Sequence, residues 1–113
     1  MPQSTKRKKS ASRKAGRSSL ARQADKYTLY QQSVQDPEHE VAFFERMYRR
    51  LRGTTPRVLR EDFCGTFAIC CQWAKKRDRK AVGVDLDPEP LEWGRANNLA
   101  VLPEKAQARV QIQ

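Results

Sequence analysis

The pattern of apolar and polar positions over residues 36–113 predicts helices and strands in strict alternation. Asp36 and Pro37 are typical of a helix start, and Gly53 is typical of a helix end. Between them, apolar side chains recur at helical spacing and predict a buried stripe. The residues of that stripe are Val41, Phe44, Tyr48 and Leu51, widened by Phe43 and Met47.

Two further pairs of elements follow, and the pattern ends in a third strand. The predicted order is strand 57–62, helix 65–80, strand 81–87, helix 87–102 and strand 108–113. The second strand, "AVGVDLD", is a near-continuous apolar run, as in a parallel strand covered on both faces. The alternation predicts an α/β fold with a parallel, right-handed sheet. About three strands are an incomplete sheet with an unpaired edge, so a truncated product or a fragment is expected.

Basic residues are concentrated at the amino terminus. Residues 1–24 hold eight of the 23 Lys and Arg and no acid, so the net charge of +10 falls to +2 over the other 89 residues. With Leu20 as its only large aliphatic side chain besides Met1, residues 1–24 are expected to form a disordered tail. This tail is either a solubilising arm or a contact for nucleic-acid phosphates. Residues 25–113 form the predicted domain.

The apolar runs are too short for a secretory signal or a membrane span. A cytoplasmic location without a membrane partner is therefore expected. Cys64, Cys70 and Cys71 have a spacing that matches no common zinc pattern, and His39 is the only histidine, so no metal site is predicted. Cys70 and Cys71 are expected to pack as small, reduced hydrophobes. Without a histidine base in view, Cys64 is a poor candidate nucleophile.

Candidate chemistry lies in "PRVLREDFCGTFAICCQW", residues 56–73, which predicts a strand, a tight loop and a helix. Parallel α/β folds bind ligands beyond the carboxyl ends of their strands, where backbone N–H groups of such a loop are available. Asp85 ends the second strand, twenty residues after Gly65. A carboxylate at that place accepts the hydroxyls of a ribose. The alternative role for Asp85 is a helix cap, although Asp87 before Pro88 fits that role better.

The number of glycines in the loop narrows the range of possible ligands. Dinucleotide loops need several glycines for close approach to a pyrophosphate and for helix packing, whereas Gly65 stands alone between Phe63 and Phe67. A nucleoside without phosphates needs one tight turn, one ribose-binding acid and an apolar wall. S-adenosylmethionine (SAM) is such a ligand, and Glu61 and Asp62 supply carboxylates near its sulfonium. The loop therefore favours SAM over NAD.

Three separated blocks now resemble a known family: "DKYTLYQQSVQDPEHEVAFFERMYRRLRG", "LREDFCGT" and "GVDLDPEPLEWG". In order and spacing they resemble the amino-terminal part of class I SAM-dependent methyltransferases, in a bacterial subgroup whose loop reads REDFCGT. The resemblance covers residues 25–113. It implies a Rossmann-like sheet of the class I type, SAM as cofactor, and methyl transfer to a small molecule, RNA or protein. It places the catalytic and acceptor-binding residues in later strands, so this chain alone is expected to be inactive.

The resemblance also assigns roles to individual positions. Glu61 matches the acid that holds the methionine part of SAM, and Asp85 the acid that binds the ribose hydroxyls. The turn beneath the cofactor matches Cys64, Gly65 and Thr66, and the residue beside the adenine matches Leu86. Phe63 occupies a position that is aromatic in the subgroup, whereas Phe67 stands where a small residue is more common.

Alternatives to these roles follow from the same residues. Glu61 or Asp62 is otherwise a solvated strand end paired with Arg57 or Arg60, and Gly65 a turn glycine without a ligand. Tyr27 and Tyr30 either close over the cofactor as a flap or pack against the sheet edge. The rival functions are a Rossmann-like protein that binds NAD or another nucleotide, and a non-enzymatic protein that binds nucleic acid through residues 1–24.

Overall fold

The computed structural model describes residues 26–31 and 36–113, and the predicted basic tail lies outside them. Residues 26–31 are helical, and the remaining elements follow in chain order. They are α1 (Pro37–Arg52), β1 (Val58–Asp62), α2 (Ala68–Trp73), β2 (Lys80–Val84), α3 (Pro88–Gly94) with a π-helical turn (Arg95–Leu99), α4 (Glu104–Gln107) and β3 (Val110–Ile112). The predicted alternation is confirmed. The short helix α4 was not predicted.

The strands form a parallel sheet in the order β1-β2-β3. Its register aligns Leu59 with Ala81, and Ala81 with Val110. The chain is therefore an α/β protein with a three-stranded parallel sheet among its described residues. We call the end of the sheet at which β1 ends at Asp62 and β2 at Val84 the carboxyl edge. The amino edge is the opposite end, where the strands begin.

The core lies between one face of this sheet and the helices. Its buried members are Val41, Cys64, Phe67, Ile69, Cys70, Cys71, Trp73, Ala81, Leu91, Leu102 and Ala106. Ala81 and Gly83 are buried on that face, whereas Val82 and Val84 on the other face are only half-buried. For the part of the chain described, the expected cover on both faces of β2 is therefore complete on the core face and only partial on the other. Cys70 and Cys71 pack in the core as predicted, with free thiols.

Helix α1 has the predicted ends but not the predicted buried stripe. Asp36 accepts a hydrogen bond from the His39 N–H at 3.2 Å, and Gly53 closes the helix in the left-handed region at φ 72°. Only Val41 of the stripe is buried, and Leu51 is 75% exposed. The rest of the stripe is exposed because α1 is turned so that Val41 and Glu45 face the core.

A buried ion pair fixes that contact. The Arg79 guanidinium is almost fully buried and donates to the Glu45 carboxylate of α1 at 3.0 Å. It also stacks on the Trp73 ring, 4.4 Å from the ring centroid. Helix α2 ends at Trp73 rather than running to residue 80 as predicted, and the chain that follows turns back so that Arg79 reaches Glu45.

Candidate functional site

The loop between β1 and α2 has an unusual backbone. Phe63, Gly65 and Phe67 all have positive φ, at 57°, 57° and 44°. For a residue with a side chain, this left-handed conformation costs about 1–2 kcal/mol. The two phenylalanines differ in burial, since Phe63 is 85% exposed and Phe67 is 0% exposed. The Phe67 ring therefore belongs to the core, whereas the Phe63 ring stays on the surface of the loop.

Two glycines outside the loop allow close packing around it, and sequence reasoning missed both. A Cβ added to Gly94 of α3 would lie 2.4 Å from the Thr66 carbonyl oxygen and 2.7 Å from the Phe67 ring. A Cβ at Gly83 of β2 would lie 3.0 Å from the Cys64 sulfur. An isolated glycine inside a helix or strand is the sequence feature that marks such an approach. A dinucleotide loop packs closely by means of its own glycines. Here the glycines that allow close packing lie on the elements that face the loop.

Asp85 joins the carboxyl end of β2 to this loop. Its carboxylate accepts hydrogen bonds from the Gly65 N–H at 2.8 Å and from the Asp87 N–H at 3.0 Å. These backbone donors hold the pKa of Asp85 below its ordinary value. Asp87 caps α3 by accepting from the Glu89 N–H at 3.1 Å, as predicted. An ionised carboxylate has about four acceptor positions, so Asp85 keeps acceptor capacity for a ligand.

Glu61 borders the first of two hollows at the carboxyl edge, which we call the tyrosine cleft, with a volume of about 290 Å³. Its lining residues are Lys26, Tyr27, Tyr30, Glu61, Phe63, Cys64, Gly65, Thr66 and Pro90. Burial raises the pKa of Glu61 to about 6, although the Cys70 thiol donates to it at 3.3 Å. The alternative of a salt-bridged strand end holds instead for Asp62, which pairs with Arg60 at 3.0 Å.

The second hollow, which we call the Asp85 hollow, has a volume of about 350 Å³. It is lined by Arg60, Asp62, Phe63, Val84, Asp85 and Leu86. The structure thus brings all of the predicted cofactor-binding residues to the carboxyl edge, but divides them between two hollows. Phe63 borders both. Leu86 is 95% exposed and offers an open apolar surface beside Asp85.

Helical residues 26–31 form one wall of the tyrosine cleft. The Tyr27 hydroxyl donates to Glu89 at 2.9 Å, and its ring lies 5.5 Å from that of Trp93. Burial and the Glu89 carboxylate raise the pKa of Tyr27 to about 12, so the hydroxyl remains a donor. The Gln31 side-chain oxygen accepts from Thr66 at 3.0 Å and from Asn98 at 2.7 Å. These contacts tie the segment to the loop and to α3, where the tyrosines border the cleft.

The three thiols lie below the loop and are buried. Burial, with Glu61 and Asp85 nearby, raises the pKa of Cys64 to about 11. A thiol that stays protonated at neutral pH is a poor nucleophile. In the described part of the chain, no group of three or more His, Cys, Asp or Glu side chains is placed to hold a metal ion. None of the described helices has the length and apolar character needed to cross a bilayer.

Comparisons of the chain with protein-family models, curated proteins and solved structures gave no match. The functional assignment therefore depends on the carboxyl edge itself. That edge combines a strained loop, an anchored carboxylate, a half-buried acid of raised pKa and two adjoining hollows.

Proposed function

We propose that the carboxyl edge binds SAM and that the chain is the cofactor-binding part of a SAM-dependent methyltransferase with a Rossmann-like sheet of the class I type. The observation that carries this proposal is the hydrogen bond between the Gly65 N–H and the Asp85 carboxylate. It makes the tight turn and the acid of the second strand one unit. A nucleoside site requires this combination, because the turn leaves room for the ligand while the acid accepts its ribose hydroxyls.

The order of the strands supports the same proposal. The sequence β3-β2-β1 corresponds to one half of a doubly wound sheet, whose strand order is 3-2-1-4-5-6. In such sheets the ligand lies beyond the carboxyl ends of the strands, beside the first one. The loop after β1 and Asp85 after β2 occupy that position.

Charge favours SAM over NAD. Glu61 and Asp85 lie at the carboxyl edge, where they would repel the two negative charges of a pyrophosphate, whereas Asp62 is paired with Arg60. A sulfonium would be attracted. The tyrosine cleft also holds Lys26 beside Glu61, so it offers one charge of each sign to the carboxylate and ammonium of an amino acid. SAM carries both groups, and NAD carries neither.

The residues present fit the parts of SAM. The remaining acceptor positions of Asp85 suit the ribose hydroxyls, the exposed Leu86 side chain suits the adenine, and Glu61 suits the ammonium or the sulfonium. Bound SAM supplies an activated methyl group. The protein's contribution is then to orient the two reactants and to exclude water. The acceptor, a small molecule, RNA or protein, belongs to the proposal as a class still to be identified.

Calorimetric titration of the full chain with SAM and with NAD tests the proposal. Binding of NAD with equal or higher affinity than SAM would overturn it. Asp85→Asn should weaken SAM binding by about one to two orders of magnitude, because hydrogen bonds to a charged group contribute roughly 1.5–3 kcal/mol and a factor of ten is about 1.4 kcal/mol. The matched control is Asp87→Asn, which keeps a good cap and should leave affinity unchanged.

Asp85 also holds the loop, so a second measurement separates the ribose contact from loop damage. The 2′-deoxy analogue of SAM should bind the wild-type chain more weakly than SAM does. In Asp85→Asn this difference between the two ligands should disappear, because the contact that distinguishes them is already lost. If the variant still discriminates between the ligands as the wild type does, the ribose assignment is wrong.

A further inference from the structure

The face of α1 that points away from the core carries an exposed aromatic ring among arginines. Val41 is the buried residue of this helix. With about 100° between successive residues, Arg50 lies directly opposite Val41, and Phe43 and Arg46 lie within about 40° of that direction. Phe43 is 50% exposed. These side chains therefore face outward because of the orientation of the helix.

The outward side chains border a shallow hollow, which we call the outer face of α1. It is lined by Phe43, Arg46, Met47, Arg49 and Arg50. Within residues 26–31 and 36–113, no acidic side chain forms an ion pair with any of these three arginines. The neighbouring Glu45 is already bound to Lys76 and Arg79. Residues 46–52 contain four arginines and no acid, so the positive charge of this stretch is not neutralised by its own neighbours.

Helix electrostatics explain only part of this composition. Cations in the last turn of a helix interact favourably with its dipole, which accounts for Arg49, Arg50 and Arg52. Arg46 lies before that turn, and lysine would serve the dipole as well as arginine. The dipole also gives no reason to expose Phe43 beside the cations. A flat ring next to planar, phosphate-matching guanidinium groups is the composition that single-stranded nucleic acid requires.

We propose that the outer face of α1 binds single-stranded nucleic acid. Arg46 and Arg50 are one helical turn apart, about 6 Å along the axis, and contact successive phosphates of the strand. Phe43, about one turn before Arg46 on the same outward side of the helix, stacks on a base. This site is separate from the carboxyl edge, and it does not depend on the cofactor proposed for that edge.

Other occupants fit the surface less well. A helix that lies in a membrane interface turns a broad apolar face away from the protein. On α1 the exposed side chains of Phe44, Tyr48 and Leu51 lie within about 80° of the buried Val41, so the outward direction is left to Phe43 and the guanidinium groups. A second copy of the chain would bring the same cations together and is disfavoured by repulsion. An acidic peptide matches the charge but does not use an exposed flat ring for stacking.

Fluorescence anisotropy of the full chain with a labelled oligo-uridine of about 12 nucleotides, a length within the usual site sizes, tests this proposal over a salt series. Arg46→Gln with Arg50→Gln should reduce the slope of log affinity against log salt by about 1.4, since each phosphate contact on a single strand contributes about 0.7. Arg77→Gln with Arg95→Gln removes the same charge from exposed positions outside α1. In this control the slope should stay that of the wild type.

Phe43→Leu keeps the apolar bulk and removes the ring, and should weaken oligonucleotide binding about tenfold at every salt concentration. Residues 1–24 are identical in all variants, so their contribution cancels. The proposal is overturned if both arginine pairs change the slope equally, or if Phe43→Leu binds as tightly as the wild type. It is also overturned if polyglutamate or anionic vesicles bind as tightly and with the same sensitivity to Phe43.

Discussion

Acidic side chains at the carboxyl edge of the sheet and basic side chains at its amino edge have different kinds of hydrogen-bond partner. At the carboxyl edge, Asp85 and Asp87 accept hydrogen bonds from backbone N–H groups. At the amino edge, Arg109 donates to the Ala74 carbonyl oxygen at 2.8 Å, and Arg79 donates to Glu45. The reason lies in the fold, because helices begin at the carboxyl edge with free N–H groups and end at the amino edge with free carbonyls.

This difference separates the consequences of substitution. The acids of the carboxyl edge shape a loop that faces a hollow, so changing them is expected to alter binding as well as folding. At the amino edge the buried Arg79 holds α1 on the core, so changing its partner Glu45 is expected to alter folding first.

Removal of Glu45, the partner of the buried Arg79, should cause the largest loss of stability. Glu45→Ala leaves the buried Arg79 guanidinium with only the longer contact to the exposed Asp78, at 3.9 Å. Removal of one partner from a buried ion pair typically lowers the free energy of unfolding by about 3–5 kcal/mol. Urea unfolding of the full chain measures it. Glu92→Ala, an exposed acid of α3, is the control and should change stability by less than about 0.5 kcal/mol. Equal losses in the two variants would show that the Glu45–Arg79 pair does not anchor α1.

At the carboxyl edge, Gly94→Ala should destabilise the protein by about 1–3 kcal/mol, the usual cost of overpacking. The new Cβ would overlap the Thr66 carbonyl, which belongs to backbone and cannot rotate away. Helix propensity alone predicts the opposite sign, a gain of up to about 1 kcal/mol for Gly to Ala. Thermal unfolding therefore decides between tight packing and propensity. A stabilised Gly94→Ala variant would mean that α3 does not approach the loop closely.

The smallest effect concerns pH at the carboxyl edge. Burial raises the pKa of Glu61 from 4.5 to about 6, so between these values the folded protein holds a proton that the unfolded chain has released. This residue's contribution to stability should therefore fall as pH rises through that window. Glu61→Gln should remove the dependence, while Glu92→Gln should keep it. Denaturant titrations across this pH range measure the slope, and an unchanged slope in Glu61→Gln would contradict the assignment.

The sequence predicted those features that local chemistry decides. The Asp–Pro pairs at 36–37 and 87–88 marked helix starts, because a cap needs only its own neighbours. The meeting of Gly65 with Asp85, twenty residues apart, was predictable since parallel strands bring their carboxyl ends to one edge.

Features that depend on distant partners were not predictable in this way. Arg79 stands in the basic run "KKRDRK" and looks like a surface residue until Glu45, 34 positions earlier, is placed beside it. Phe63 and Phe67 are identical in type and in backbone conformation, yet one is exposed and the other buried. Only the position of Gly94 on α3 makes room for the second ring. The exposure of the α1 stripe likewise depends on which line of the helix meets α2.

The buried thiols in and beside the loop allow the rate of local opening at the carboxyl edge to be measured. A maleimide or disulfide reagent reacts with a thiolate that it can reach, and Cys64, Cys70 and Cys71 are both buried and protonated in the closed structure. Labelling must therefore wait for a local opening, whose free energy is smaller than that of global unfolding. The rate at which Cys64 is labelled then reports how often the loop that carries it opens. A ligand that holds the loop closed would slow that rate in proportion to its occupancy.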